Sequence, residues 1–358
     1  MQNPASALSL AEIQAIYDTP LISLIHRAAE VHRTHHNPRE VQVSTLLSIK
    51  TGGCAEDCAY CPQAARYHTD IEKNDLMSLA VVKAAAKSAK ASGSSRLCMG
   101  AAWRNVKDGK EFDQVLEMVE AVNELDMEVC CTLGMLTENQ AKKLANAGLY
   151  AYNHNLDSSE DFYKEIISTR GFNDRLETID NVRKAGVSVC SGGIIGMGES
   201  SLDRCQMLHT LASMETPPES LPINALVPVE GTPLEDQQVV SSWEMIRMVA
   251  TARVVLPNTV IRLSAGRTEM SDEAQALCFL SGASSIFSGD KLLTTPNPGE
   301  SADQRLFEAL GIQPKAPFTE RQKPEHSHEV SDEKERVKWS RPGHVIEKNV
   351  EYTIGRKK

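Results

Sequence analysis

Apolar and polar positions recur along the chain in two rhythms, one near 3.6 residues and one of period 2. Between residues 9 and 34, Ile13, Ile16, Leu21, Leu24, Ile25 and Ala28 fall at helical spacing, broken near Thr19-Pro20. That pattern predicts two packed helices capping the body of the protein. Beyond them, short β-rich stretches alternate with amphipathic ones; the β-rich stretches are 41–49, 96–99, 127–133, 149–155, 187–190, 221–227, 260–264 and 283–287. Three intervening helices have legible ends. Asp75 can cap a helix through 76–90 that stops at Gly93, Thr137 one that stops at Gly148, and Asn173 or Asp174 one that stops at Gly186. Each glycine stands where a left-handed closing residue costs little. Eight strands with helices between them predict an α/β protein with a parallel sheet, and the count favours a closed (β/α)8 barrel of TIM type. An open doubly wound sheet is the alternative. The expected organisation is an N-terminal helical extension over 1–40 and the barrel over 41–313. From 314 to 358 Lys, Glu, Arg, His and Pro dominate and periodicity fades. That stretch reads as a charged, solvated, disordered tail with at most a short strand near 350–354.

Period 2 also assigns each strand residue to a face. Valines 187 and 189 oppose Ser188 and Cys190; Val129, Cys131 and Leu133 oppose Glu128, Cys130 and Thr132. Leu97 and Met99 oppose Arg96 and Cys98, and Ile261 and Leu263 oppose Arg262 and Ser264. Asn153, Asn155 and Asp157 share a face, and Asn224 lies between Ile223 and Ala225. In a barrel the apolar face meets the helices, so the polar set points into a bore that branched aliphatics ordinarily fill. Such groups buried without partners cost kilocalories each, which predicts a chamber whose occupants satisfy them. A single inward cysteine reads as a small hydrophobe. Cys98, Cys130 and Cys190, from three strands, together read as a second metal centre. Cys131 faces outward, and Cys205 and Cys278 lie in helical patterns as packing residues. Arg262 keeps its proton and has no lone pair to spare, so its own chemistry gives an ion pair or a hydrogen-bond donor.

Composition narrows the partners. The 358 residues suit one barrel with extensions, and 41% apolar content supplies a large core. A net charge of −10 argues against nucleic acid, whose phosphates need a basic face. Nine cysteines, odd in number and unevenly spaced, do not read as a disulfide scaffold; they fit a reducing cytoplasm. No run approaches the roughly 18 apolar residues of a membrane span. The N-terminus lacks a signal-peptide layout, and acidic Glu12 and Asp18 weigh against a transit peptide.

The densest chemistry is Cys54-Ala55-Glu56-Asp57-Cys58-Ala59-Tyr60-Cys61-Pro62, directly after the first β-rich stretch and Gly52-Gly53. Three soft thiolates this close favour zinc, copper(I) or an iron–sulfur cluster. Structural zinc wants a fourth ligand; His68 lacks paired spacing and Cys98 is distant. A cubane on three cysteines instead leaves one iron open to something that is not protein.

The C-x3-C-x2-C pattern with an aromatic residue before its third cysteine resembles the radical S-adenosylmethionine (radical SAM) superfamily. There the open iron is chelated by the amino and carboxylate groups of S-adenosylmethionine. Longer runs are similar to the biotin synthase family over about residues 10–313. They are Val43 to Gly52, Cys98-Met99-Gly100-Ala101-Ala102-Trp103, Tyr152-Asn153-His154-Asn155-Leu156-Asp157, Cys190-Ser191-Gly192-Gly193, Arg262-Leu263-Ser264-Ala265-Gly266-Arg267 and Leu292-Leu293-Thr294-Thr295-Pro296. The resemblance implies a [4Fe–4S] cluster on Cys54, Cys58 and Cys61. It also implies a [2Fe–2S] cluster on Cys98, Cys130, Cys190 and Arg262, a role for Arg262 that residue chemistry alone does not give. Dethiobiotin and S-adenosylmethionine are the implied substrates, with an electron donor and a homodimer. An electron cleaves the sulfonium, the 5′-deoxyadenosyl radical removes hydrogen from unactivated carbons, and cluster sulfide closes the ring. Within that resemblance Asn155 and Asp157 hold the ribose, Tyr60 lies beside the docked cofactor, and Asn153 and Asn224 bond the ureido ring. For each amide the alternative is satisfaction of nearby backbone. The glycine-rich run 192–198 has the wrong spacing for a dinucleotide fingerprint; it is either a plain loop or a close backbone approach to S-adenosylmethionine. The rivals are another radical SAM enzyme of cofactor synthesis with structural inner thiols, and a zinc-stabilised barrel that binds a metabolite.

Overall fold

The alternating strands and helices close into a ring. In a computed structural model that describes residues 8–319, α1 (Leu10–Tyr17) and α2 (Leu21–His35) come first. The barrel then runs β1 (Glu40–Lys50), α3 (Leu79–Ala91), β2 (Arg96–Ala101), α4 (Lys110–Asn123), β3 (Glu128–Thr132), α5 (Glu138–Asn146) and β4 (Ala151–Asn153). It continues through α6 (Glu160–Ile166), α7 (Phe172–Lys184), β5 (Ser188–Cys190), β6 (Gly193–Ile195), α8 (Ser201–Ala212) and β7 (Ser220–Ala225). Last come α9 (Ser242–Val255), β8 (Val260–Leu263), α10 (Asp272–Leu280), β9 (Ala283–Ser288), α11 (Glu300–Leu310) and β10 (Gln313–Pro314). Parallel pairing runs β1-β2-β3-β4-β5-β7-β8-β9 and β9 returns to β1, so the sheet is a closed barrel and not an open one. The two N-terminal helices pack along its outside against α8, α9 and α10.

Three boundaries differ from the sequence pattern, each for a visible reason. Met77 donates its amide to the Ile49 carbonyl at 2.8 Å, holding the chain extended past Asp75, so Ser78 and not Asp75 precedes α3. Asp174 is not a cap residue but lies inside α7, where its carboxylate reaches back to the Gly171 amide at 2.8 Å. Strand β4 ends at Asn153, two residues early, because the chain turns to a left-handed backbone at Asp157 (φ 68°). Asn155 and Asp157 therefore sit on a loop and not on a strand face. Thr137, by contrast, caps α5 as the pattern predicts.

The fifth strand is split at Ser191-Gly192, and its continuation β6 pairs with β7. A Cβ on Gly192 would lie 2.0 Å from the Pro222 carbonyl oxygen, and one on Gly193 2.6 Å from that of Asp157. The close approach these glycines permit is to the chain's own backbone: Asp157 donates to Gly192 at 3.1 Å and Ile194 to Asp157 at 2.9 Å.

The two faces separate as alternation requires. Leu97, Met99, Val129, Val189, Ile261 and Leu263 join the helices in the outer core, together with Cys131, Cys205 and Cys278. Cys98 and Cys130 belong to a separate inner cluster with Tyr150, Ala151, Phe287 and Leu292. The lower bore is polar, and its buried charges satisfy one another. Arg96 and Glu128, both buried, pair at 2.6 Å, and Gln42 adds a bond to Glu128 at 3.2 Å. The chamber thus needs fewer occupants than the residue pattern alone implies.

Residues 314–319 depart from the reading of that stretch as a solvated tail. Lys315 donates to the Val41 carbonyl at 2.9 Å, β10 pairs with the start of β1, and Phe318 packs edge-on to Tyr150 with ring centres 5.7 Å apart. The rest of that stretch, including the strand expected near 350–354, lies outside the described residues. Among the described residues no helix is long and apolar enough to cross a membrane.

Buried His32 on α2 makes stability depend on pH. Its Nδ1 has no hydrogen-bond partner, and burial, with Arg253 adding repulsion, pushes its pKa down to about 3. An unfolded histidine binds its proton near 6.5, so between those values the unfolded chain holds the extra proton. Stability is fully present above pH 6.5 and is lost as pH falls from 6.5 toward 3. Replacing His32 with Phe should flatten that window in urea titrations compared at pH 7.5 and 5. An unchanged pH dependence would remove His32 as its source.

Candidate active site

The loop carrying Cys54, Cys58 and Cys61 leaves the C-terminal end of β1, the end of such barrels that bears their chemistry. Short bonds shape it: Cys54 donates to Gln63 at 2.9 Å, Cys61 to Cys58 at 2.9 Å, and Ala65 to Cys54 at 2.8 Å. The residues between the thiols anchor it to a distant segment. Asp57 accepts from Arg66 at 2.7 Å and from the amides of Ser168 and Thr169 at 2.9 and 3.1 Å. Burial alone would raise the Asp57 pKa, but the hydrogen bonds from Ser168 and Thr169 override it and hold the carboxylate at about 2. Glu56 faces Arg104 at 3.4 Å and Arg170 at 3.8 Å. Burial pushes the thiols up, Cys58 to about 11 and Cys61 to about 12, so they are protonated until a metal displaces the protons. Among the described residues no three His, Cys, Asp or Glu side chains close on one ion position.

Beside the loop, Tyr60 donates its hydroxyl to Asp157 Oδ2 at 2.7 Å. The same oxygen accepts from Arg175 Nη2, while Arg175 also donates to the Tyr163 hydroxyl at 2.9 Å and the Asn155 carbonyl at 2.7 Å. Asn155 in turn accepts from the Gly192 amide at 3.2 Å. Arg175 is absent from the candidates drawn from the sequence. Its signal was available: it occupies the buried stripe of α7 between Phe172 and Ile179, where an arginine has to have a partner.

The second set gathers inside the bore. Strand register places Cys98 opposite Cys130, Asn153 opposite Cys190, and Pro222 opposite Arg262. A hydrogen bond from the Cys130 thiol brings Cys98 down to about 7 against the effect of burial, and the same bond pushes Cys130 up. Arg262 is fully buried, stands 3.7 Å from Cys190 Sγ and stacks 4.6 Å over the Phe287 ring. Ser285 accepts from its Nε at 3.0 Å, and Gln42 accepts from its Nη2 at 3.2 Å. Asn153 lies 3.3 Å from the same sulfur. Asn224 spends its amide on backbone, donating to Gly193 at 3.0 Å and accepting from Ala265 at 3.2 Å. It still borders the cavity.

One cavity of about 240 Å³ touches both sets, with Tyr60 and Cys61 on one wall and Cys98, Cys130 and Arg262 on another. A second of about 200 Å³ reaches Cys54, Cys58 and Arg175. Asn153, Asn155 and Asp157 border both.

A closed parallel barrel with this three-cysteine loop at the end of its first strand defines a radical SAM enzyme. The chain matches the Radical SAM superfamily over residues 48–211 and the Biotin and Thiamin Synthesis associated domain over residues 222–313. It is 66% identical over 344 residues to the biotin synthase of Christiangramia forsetii, covering 95% of each chain. With the biotin synthase of Myxococcus xanthus it shares 58% identity, covering 87% of this chain and 90% of the other. With the mitochondrial biotin synthase of Arabidopsis thaliana it shares 56%, covering 88% and 84%. The chain belongs to the biotin synthase family. Among solved structures, methylornithine synthase superposes with a TM-score of 0.73 at 17% identity, covering 87% of this chain and 95% of that one. The [FeFe]-hydrogenase maturase HydG also gives 0.73, at 16%, covering 87% and 72%. At that identity the likeness is one of fold.

Proposed function

We propose that this chain inserts sulfur into dethiobiotin to form biotin, with Cys54, Cys58 and Cys61 as ligands of a [4Fe–4S] cluster and Cys98, Cys130, Cys190 and Arg262 as ligands of a [2Fe–2S] cluster. The observation that carries this reading is the single cavity bordered by both cysteine sets. When bound, the first cluster with S-adenosylmethionine supplies a hydrogen-abstracting radical and the second supplies sulfur, chemistry that side-chain acids and bases do not reach. The chain's own part is placement. Tyr60, Asp157 and Arg175 form a wall beside the first cluster, with Arg175 offering its charge where a cofactor carboxylate would dock. Asn153 and Asn155 border the space between the two sets and offer amide donors and acceptors to the ureido ring and the ribose. Asn224 contributes to the substrate wall chiefly by fixing the backbone of Gly193 and Ala265. The enclosing strands keep water away from a reactive intermediate. The same reading includes an external electron donor, a homodimer and a reducing cytoplasm; all nine cysteines are free thiols. Within the N-terminal extension, α1 and α2 serve as an outer brace, and 41–313 as the catalytic barrel.

Anaerobic protein reconstituted with iron and sulfide, then reduced with S-adenosylmethionine and dethiobiotin, should be brown and give biotin together with 5′-deoxyadenosine. Deoxyadenosine without biotin would leave a radical SAM enzyme acting on another substrate. A colourless protein with full zinc occupancy would end the reading altogether.

A further inference from the structure

Residues 312–318, after α11, fold back beneath the barrel, at the strands' N-terminal ends. Gln313 donates to the Arg39 carbonyl at 2.8 Å, and β10 adds to the start of β1. The next residues bring Phe318 against Tyr150, part of the inner cluster that contains Cys98 and Cys130. Phe318 has a left-handed backbone (φ 58°), a conformation a bulky residue keeps only where its surroundings hold it. Here they do: its amide donates to Glu128 Oε1 at 2.7 Å. The other oxygen of that carboxylate accepts from Arg96 at 2.8 Å and Gln42 at 3.2 Å. Gln42 accepts from Arg262 at 3.2 Å, and Arg262 lies against Cys190. An unbroken line of hydrogen bonds thus joins the Phe318 backbone to the inner face of the second cysteine set. Beside it lies a cavity of about 230 Å³ bordered by Gln42, Arg96 and Tyr150.

We propose that Phe318 is a positioning residue for the second metal site. Its ring closes the N-terminal mouth of the barrel beneath Cys98 and Cys130, and its amide fixes Glu128 and, through Gln42, Arg262. The proposal rests on the reading of Cys98, Cys130, Cys190 and Arg262 as cluster ligands, but its closure half concerns only access to thiols. In that half, full-length cluster-free protein is treated with iodoacetamide and each cysteine is followed by mass spectrometry. Phe318→Ala should raise the rates at Cys98 and Cys130 at least about fivefold through local opening. The rates at Cys131, Cys205 and Cys278, in the outer core, should stay as in the parent. Phe318→Leu, which refills the mouth, should restore the parent rates. In reconstituted protein, Phe318→Ala should also lose iron–sulfur absorbance to a chelator several-fold faster, again with rescue by leucine. Unchanged rates at Cys98 and Cys130 would overturn the closure, as would a rise shared by all five cysteines, which marks loosening of the whole barrel. A labelling change with no change in cluster loss would overturn the positioning role. Failure of the biotin reading would show differently, as absent product with the labelling contrast intact.

Discussion

Replacing Cys130 with alanine should abolish biotin formation while S-adenosylmethionine is still cleaved, and replacing its neighbour Cys131 should leave both reactions intact. The two thiols are adjacent in sequence and equally buried, but strand alternation sends them to opposite sides. Cys130 joins the inner cluster beside Cys98, its partner across the strand pair. Cys131 packs with Met99 and Val129 in the outer core, where burial, with a smaller contribution from Cys98, pushes its thiol up. Losing Cys130 removes a proposed ligand from the second set without touching the loop of Cys54, Cys58 and Cys61. Losing Cys131 costs a small packing defect, about 1 kcal/mol on the scale of core truncations. The measurement is paired: deoxyadenosine and biotin quantified from the same reaction, with iron content per chain. Full iron content and biotin yield in Cys130→Ala would dismiss the second site, and loss of biotin in both variants would dismiss the assignment by alternation.

That contrast was legible in the sequence because period 2 is a local property, written in neighbouring residues. The barrel came from the same source, as did the inward turn of Cys98, Cys190 and Arg262. What the pattern could not carry was partnership across long separations. Asp57 and Glu56 stand between two cysteines and read as spacers, yet their partners Thr169 and Arg170 lie over a hundred residues away. Arg96 and Glu128 were both readable as inward, but their pairing depends on strand register, which places them directly opposite. Register likewise decides that the polar bore satisfies itself below the cysteines. Phe318 sits where composition turns charged and periodicity fades, so no stripe announces its contact with Tyr150. Asp157 was placed on a strand face because Asn153, Asn155 and Asp157 alternate; the left-handed turn that ends β4 leaves no periodic trace.

The Arg175–Asp157 pair shows what such a hidden partnership is worth. Burial alone would disfavour the guanidinium charge, and the neighbouring carboxylate of Asp157 more than restores it. Replacing Arg175 with Met leaves that carboxylate buried with only the Tyr60 hydroxyl, and it also frees the Asn155 carbonyl and the Tyr163 hydroxyl. Removing one member of a buried ion pair typically costs about 3–5 kcal/mol, so the variant should unfold at a much lower urea concentration. Adding Asp157→Asn removes the stranded charge, and the double variant should recover most of that stability, a coupling that a double-mutant cycle reads directly. Under the proposed role of Arg175 toward a cofactor carboxylate, activity should not return with it. Binding of S-adenosylmethionine to the reconstituted double variant should be weakened by about 10–100-fold, the scale on which groups that support a metal site act. Recovery of stability and cofactor binding together would reduce Arg175 to a structural brace. No recovery of stability would mean that Arg175 acts through Tyr163 and the Asn155 backbone and not through Asp157.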